Sequence, residues 1–413
     1  MLEKQYLKLV ITGHVDHGKS TLIGRLLYDT GAVPEDKVAE VKQVCESLGR
    51  EMEFGFITDH FQEEREQGIT IDTTQIFFKT EKREYVIIDA PGHKEFLKNM
   101  ITGASQAEAA ILIVDASEGV QEQTKRHAYV LSMLGIQQVI VAVNKMDLVE
   151  YKLDRFNEVV QELKTFLSSI NLKPTYIIPV SANKGENIAK RSTSMKWYNE
   201  KTILEALDSF TPLKDKANET LRFPIQDVYK VGDKRVLVGR LESGSIKQGD
   251  KIIMLPSNNE SEVTSIEEFG NPNKKEAHAG ESIGITIKDD PFIERGEIIC
   301  KKEEAPQVSD TIKANVFWMS KQGYKKGQKI VFRSVTQEVP GTISIINKRV
   351  NSSTLETLEE NAPVINNTEV GEVTIKLEKP IVIDAFSKVQ ETGRFVLADQ
   401  YDTVAGGIIP DIK

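Results

Sequence analysis

The run Gly13-His14-Val15-Asp16-His17-Gly18-Lys19-Ser20 lies between the apolar stretch Tyr6 to Thr12 and the segment Ser20 to Asp29. In that segment Leu22, Ile23, Leu26 and Leu27 share one helical face. Gly-x4-Gly-Lys-Ser between a strand and a helix is the context a phosphate loop requires, because glycines let backbone N–H groups approach phosphate closely. In such a loop Lys19 reaches the β- and γ-phosphates and the Ser20 hydroxyl binds Mg²⁺. Gly13, His14, Val15, Asp16, His17, Gly18 and Thr21 complete the cradle, with His14 and His17 read as structural members of it.

The first half repeats the strand–helix alternation. Tyr85 to Asp89, Ala110 to Val114 and Val139 to Val143 are continuous apolar runs of strand length, as strands buried on both faces of a parallel sheet are. Helical patterns over Gln123 to Leu134 and Leu153 to Ile170 lie between and after them. The expected class is an α/β phosphate-loop domain with a doubly wound, mostly parallel sheet.

Four further motifs follow in order and narrow the ligand to GTP. In Asn144-Lys145-Met146-Asp147 the Asp147 carboxylate can accept bonds from N1–H and the 2-amino group of guanine, a donor pair adenine lacks. The Lys145 stem can lie along the base, and Asn144 ties the loop down. Ser181-Ala182 would present a backbone N–H to guanine O6. Asp89-Ala90-Pro91-Gly92-His93 ends a strand, where Asp89 can hold Mg²⁺ through water and the Gly92 N–H can sense the γ-phosphate. In Gly68-Ile69-Thr70-Ile71, Thr70 supplies a second hydroxyl to Mg²⁺ when GTP is bound. Loss of the γ-phosphate would release both segments. His93 is expected to orient the attacking water, making His93, Lys19 and Thr70 the catalytic set. His60, His127 and His278 carry no signal.

After Thr211 the pattern becomes short β-rich runs with Gly and Pro punctuation: Val236 to Leu241, Lys251 to Leu255, Ser282 to Ile287, Ile343 to Ile346, Val373 to Leu377 and Arg394 to Ala398. Two small β-barrels are expected, divided at the charged stretch Lys301 to Pro306. The expected domains are 1–214 for GTP binding, 215–304 for the first barrel and 305–413 for the second.

Composition limits the partners and the compartment. The 413 residues carry a formal net charge of -9, which makes nucleic acid a poor default partner, although a local basic face is compatible with it. The two cysteines, Cys45 and Cys300, have no metal-ligand spacing and read as small buried hydrophobes in a reducing compartment. The first residues run straight into a strand with no room for a signal peptide, and no apolar run approaches the ~20 residues that span a bilayer. A cytoplasmic protein without a membrane partner is expected.

His-Val-Asp-His-Gly-Lys-Ser-Thr, Glu64 to Asp72, Asp-Ala-Pro-Gly-His and Lys98-Asn99-Met100-Ile101-Thr102-Gly103-Ala104 resemble the translational GTPase superfamily across nearly the whole chain. That resemblance implies a GTPase domain followed by two β-barrels, GTP and Mg²⁺ as ligands, and a hydrophobic gate of Val15 and Ile69 beside His93. Within it, two subfamilies compete. Ser20 to Thr30, Phe77 to Tyr85, Lys125-Arg126-His127, Met133 to Ile136, Asn347 to Glu356 and Thr392 to Asp399 resemble the GTPase subunit of bacterial-type sulfate adenylyltransferase. There GTP hydrolysis drives adenylyl transfer from ATP to sulfate on a separate small catalytic subunit, which would be the partner. Asp16-His17 is instead the form found in carriers of aminoacyl-tRNA, the alternative, with tRNA as partner. The barrels show no dense basic cluster interleaved with aromatics along the sequence. The sulfate enzyme is therefore the expected member, with an uncoupled GTP-dependent switch as a third reading.

Overall fold

The computed structural model describes residues 6–47, 49, 52–58, 75–88, 107–211, 218–232, 234–271, 274–289, 291–400 and 402–411. Ile69, Thr70, Asp89, Gly92 and His93, named above, lie outside these residues. The chain forms two compact units, Met1–Pro212 and Leu213–Lys413.

The first unit is built on a six-stranded sheet. Its strands are β1 (Tyr6–Gly13), β2 (Gln75–Lys79), β3 (Glu84–Ile88), β4 (Ala109–Asp115), β5 (Gln138–Asn144) and β6 (Tyr176–Pro179), in the order β2-β3-β1-β4-β5-β6. Only the β2–β3 pair is antiparallel. All seven residues of β4 are buried, which is why that strand is apolar without alternation. The order reverses at β1, between β3 and β4, and in an open α/β sheet such a switch opens a crevice outside the carboxyl ends of the strands. Gly13 ends β1 at this point, where an added Cβ would lie 2.5 Å from the Ile113 carbonyl oxygen.

The helices are α1 (Lys19–Asp29), α2 (Glu35–Ser47), α3 (Glu122–Met133), α4 (Leu153–Ser169) and α5 (Ile203–Ser209). Leu22, Ile23, Leu26 and Leu27 of α1 are buried, and all four join the core that contains Leu9 and Ile111. Helix starts differ in one telling respect. α5 opens with a complete capping box, Thr202 and Glu205, and α2 has Glu35 and Asp36 in its first turn. α1 has neither a capping side chain nor an acidic residue there.

The second unit contains two β-barrels. The first closes six strands in the order Lys251–Leu255, Asn259–Glu267, Ser282–Ile287, Lys234–Arg240, Phe223–Val231 and Ile298–Cys300. The second closes Lys329–Ser334, Arg394–Asp399, Asp402–Ile408, Gln307–Trp318, Glu369–Ile383 and Gln337–Asn351, with Thr357–Glu360 added beside the last. Lys301 to Pro306 lies between them and holds the 3-10 turn Lys302–Glu304. Several strands are longer than their apolar runs, because barrel strands alternate and their outward residues are polar. Asn347 to Asn351 continues the strand Gln337–Asn351 beyond the apolar run Ile343 to Ile346.

The barrels meet through apolar and ionic contacts. Ile253, Leu255, Ile298 and Cys300 of the first share a buried cluster with Val382 of the second. Burial pushes the Cys300 thiol up to about 11, as expected of a free cysteine acting as a hydrophobe. Beside it, fully buried Arg222 clamps Asp384: Nε donates to Oδ2 and Nη2 to Oδ1, both at 2.8 Å. Nη1 donates to the Leu221 carbonyl at 2.8 Å, and the Thr392 hydroxyl adds a 2.6 Å bond to Asp384.

Removing one partner of this pair strands a buried charge. Arg222→Met should cost the second unit about 3–5 kcal/mol, and Arg222→Met with Asp384→Leu should recover much of it. Denaturant unfolding of the second unit checks this; a loss below about 1 kcal/mol for Arg222→Met would contradict the account.

Candidate nucleotide site

The sequence motifs that the structure describes all lie at the carboxyl edge of the parallel strands. The phosphate loop follows β1, Asp115 ends β4, Asn144 ends β5, and Ser181-Ala182 follows β6. Residues separated by more than a hundred positions therefore converge without any long excursion of backbone.

The loop turns through two left-handed positions, Asp16 at φ +58° and Gly18 at φ +95°. Among the described residues, the N–H groups of Val15, Asp16, Gly18 and Ser20 have no protein acceptor, and His17 N–H reaches the His14 carbonyl at a long 3.4 Å. Such a run of unpaired N–H groups, opening into an uncapped helix N-terminus, favours an anion. Lys19 Nζ donates to the carbonyls of Gly13 at 3.2 Å and His14 at 3.0 Å, so its ammonium is held over the loop. Ser20 is exposed and its hydroxyl has no partner among the described residues. Thr21 is half-buried one residue further into α1.

Asn144 joins the phosphate loop to the turn after β6. Its Nδ2 donates to the His17 carbonyl at 2.9 Å, and its Oδ1 accepts the Ala182 N–H at 2.9 Å. The approach is close enough to dictate sequence: a Cβ on Gly18 would lie 2.4 Å from Asn144 Nδ2. Lys145, at φ +60°, pairs with Asp115 Oδ2 at 2.7 Å. Asp147 is half-buried, and its carboxylate has no hydrogen-bond or salt-bridge partner among the described residues.

The turn after β6 differs from expectation in one detail. Ser181 N–H donates to the Glu186 carbonyl at 3.2 Å and Ala182 N–H to Asn144. Both donors expected to face a base oxygen already have protein acceptors. The next one along, Asn183 N–H, has none among the described residues.

The segment Asp115 to Gly119, passed over in the sequence, turns out to organise the site together with His17. Asp115 accepts the Ser117 N–H at 2.7 Å and the Ser117 hydroxyl at 2.6 Å as well as pairing with Lys145. Burial alone would raise the Asp115 carboxyl; the bonds from Lys145 and Ser117 outweigh it and hold it below the usual carboxylate range. Fully buried His17 accepts the Asp115 N–H on Nδ1 at 3.2 Å, and its Nε2 lies 3.3 Å from Glu118 Oε2. Burial lowers the His17 pKa despite these acidic neighbours. The His14 ring packs 5.0 Å from it. His17 thus pins the loop to the end of β4, in keeping with a structural role.

The comparisons with known proteins agree with this geometry. Residues 4–213 match the family described as Elongation factor Tu GTP binding domain, residues 234–300 match Elongation factor Tu domain 2, and residues 311–410 match GTP-eEF1A C-terminal domain-like. The chain is 40% identical to Elongation factor 1-alpha of Thermoplasma acidophilum over 422 residues, covering 100% of this chain and 99% of the relative. It is 41% identical to that of Methanocella arvoryzae (99% and 98% covered) and 39% identical to that of Pyrococcus furiosus (100% and 99%). A solved structure described as sup35 complexed with GDP aligns at 26% identity over 100% of this chain and 95% of its own, with a TM-score of 0.46. The chain belongs to the translational GTPase superfamily and is a GTP-binding GTPase of the elongation factor Tu type.

The same findings overturn the sulfate adenylyltransferase reading and its small-subunit partner. Relatives at about 40% identity over the full length carry the name Elongation factor 1-alpha. The segments that favoured the sulfate enzyme lie in α1, the β2–β3 pair, α3 and its end, and the second barrel. Burial constrains many of their positions to apolar types, and such positions do not separate close subfamilies.

The lowered pKa of His17 has a consequence for stability. Unfolded, His17 titrates near its ordinary value of 6.5; folded, it titrates lower. Its neutral form therefore supports the fold above pH 6.5, and that support is lost as the pH falls through the folded-state value. The difference in melting temperature between wild type and His17→Asn should shrink on going from pH 8 to pH 5; a difference that stays constant or grows would contradict the assignment.

Proposed function

We propose that the protein is a GTP-dependent carrier of aminoacyl-tRNA in translation elongation, working in the cytoplasm. The observation that carries this reading is the full-length likeness to relatives named Elongation factor 1-alpha, 40% and 41% identical over all three domains. Among the described residues no helix is long and apolar enough to cross a membrane.

In this reading the N–H groups of the loop and of α1 bind the phosphates, with Lys19 against the β- and γ-phosphates and Gly13, His14, Val15, Asp16, His17, Gly18 and Thr21 shaping the cradle. Asp147 reads guanine N1–H and the 2-amino group, Lys145 lies along the base, and Asn144 with Ser181 and Ala182 sets the turn that faces O6. Mg²⁺ would be held by hard oxygen donors, the Ser20 and Thr70 hydroxyls and, through water, Asp89. The unpaired Ser20 hydroxyl suits that duty, and the ion would neutralise phosphate charge. Gly92 senses the γ-phosphate, and His93 orients the attacking water beside a gate of Val15 and Ile69.

A feature of the first barrel supports an RNA partner, in spite of the net charge of -9. Three of its basic residues, Lys230, Lys234 and Arg235, lie within six consecutive positions. Strand pairing sets Lys230 opposite Arg235 and Val231 opposite Lys234, so three cations gather at one hairpin end. Lys234, Arg235 and Lys288 line a cavity of about 400 Å³ together with Thr264, Ser265, Thr286 and the single carboxylate of Asp289. Tyr229 and Phe292, next to lining residues, are 54% and 78% exposed. Cations beside exposed aromatic rings suit a single nucleic-acid strand.

The test is retention of aminoacyl-tRNA by the protein loaded with a non-hydrolysable GTP analogue or with GDP. The expected result is binding at least ~10-fold tighter in the GTP-analogue form, a typical size for coupling between two sites. Equal binding in the two forms, or none in either, would overturn the reading.

A further inference from the structure

Helix α1 carries the phosphate loop at its start and, five residues after Ser20, an arginine that the nucleotide roles above do not use. Arg25 Nε donates to both carboxylate oxygens of Asp29, at 2.9 and 3.0 Å, which fixes the plane of the guanidinium. That plane sits over the Phe54 ring, with Cζ 4.7 Å from its centroid, and 5.8 Å from the Tyr28 ring. Tyr28 meets Phe54 edge-on at 5.3 Å. Gly185 closes against the same guanidinium: a Cβ there would lie 2.2 Å from Nη2 and 2.3 Å from Cζ. Gly185 also stands at φ +75°, a backbone conformation that favours glycine, and any side chain there would displace the guanidinium. Next to Arg25, Gly24 lets the Phe54 backbone touch α1 directly, since a Cβ on Gly24 would lie 1.9 Å from the Phe54 carbonyl oxygen.

Three segments therefore meet on one side chain. α1 carries Lys19 and Ser20. Phe54 begins the segment that leads along the chain towards Thr70. Gly185 lies three residues beyond Ala182, in the loop that follows the base-reading turn. We infer that Arg25 is a positioning residue that couples the loop after the base-reading turn to the Phe54 segment, through its guanidinium packed between Phe54 and Gly185. The inference rests on the nucleotide site described above. Its physical basis is the flat, charge-delocalised guanidinium, which can stack on a ring and on a bare glycine backbone at once; an ammonium cannot.

The test measures release of fluorescent GDP and of a fluorescent GTP analogue, together with melting temperature. The proteins are wild type, Arg25→Lys, Arg25→Ala, Phe54→Leu and the Arg25→Ala/Phe54→Leu pair. The expected result is release faster by about fivefold or more in each single variant, including Arg25→Lys, which keeps the charge and loses the plane. The double variant should release no faster than Arg25→Ala, because both changes break the same coupling. Wild-type release rates in Arg25→Lys, or effects of Arg25→Ala and Phe54→Leu that multiply independently, would overturn the inference while leaving the site intact. A wild-type protein that binds no guanine nucleotide would overturn the site reading and this inference with it.

Discussion

The nucleotide site depends on one carboxamide. Asn144 holds the His17 carbonyl with its nitrogen and the Ala182 N–H with its oxygen, both at 2.9 Å and both in buried surroundings. No other side-chain chemistry offers a donor and an acceptor at that separation in so small a volume. The phosphate loop after β1 and the base-reading turn after β6 are remote in sequence and separated by two strands, β4 and β5, in the sheet. The Asn144 side chain, at the end of β5, makes them one rigid body. Gly18 must lack a side chain for this contact to exist, so the glycine of the loop answers to the asparagine as well as to phosphate.

Beside that brace a chain of polar contacts runs through the end of β4 and the loop. Asp115 receives Lys145 and Ser117, its N–H is accepted by His17, and His17 reaches Glu118. A buried aspartate and a buried histidine would each be costly alone; paired in this way they position the loop without an exposed charge facing the phosphates. Among the groups left unpaired in the described residues are ones a nucleotide could use: loop N–H groups, the Ser20 hydroxyl, the Asp147 carboxylate and the Asn183 N–H. The barrels apply the same economy of buried charge once, in the Arg222–Asp384 clamp that joins them.

Much of this was legible in the sequence. β4 and β5 announced themselves as unbroken apolar runs because both faces are covered. The phosphate loop and Asn144-Lys145-Met146-Asp147 were found because their residue types are dictated locally. The Asp115 segment was missed because its role arises only when β4 ends beside β1 and β5, a juxtaposition no spacing reveals. Arg25 and Gly185, 160 residues apart, were missed for the same reason. The basic hairpin of the first barrel was passed over although Lys230, Lys234 and Arg235 lie within six residues, because only the strand pairing shows Lys230 facing Arg235. The choice between subfamilies failed where it leaned on helix and strand segments whose apolar positions answer to packing and do not discriminate partners.

The most direct measurement is the GDP affinity of Asn144→Ala against wild type by titration calorimetry. The variant leaves a buried carbonyl and a buried N–H without partners and uncouples the phosphate loop from the base-reading turn. At about 1–3 kcal/mol for each lost partner, the expected loss of affinity is ~100-fold or more, with the fold retained. A variant that binds GDP as tightly as wild type would contradict the central claim that this one side chain assembles the site.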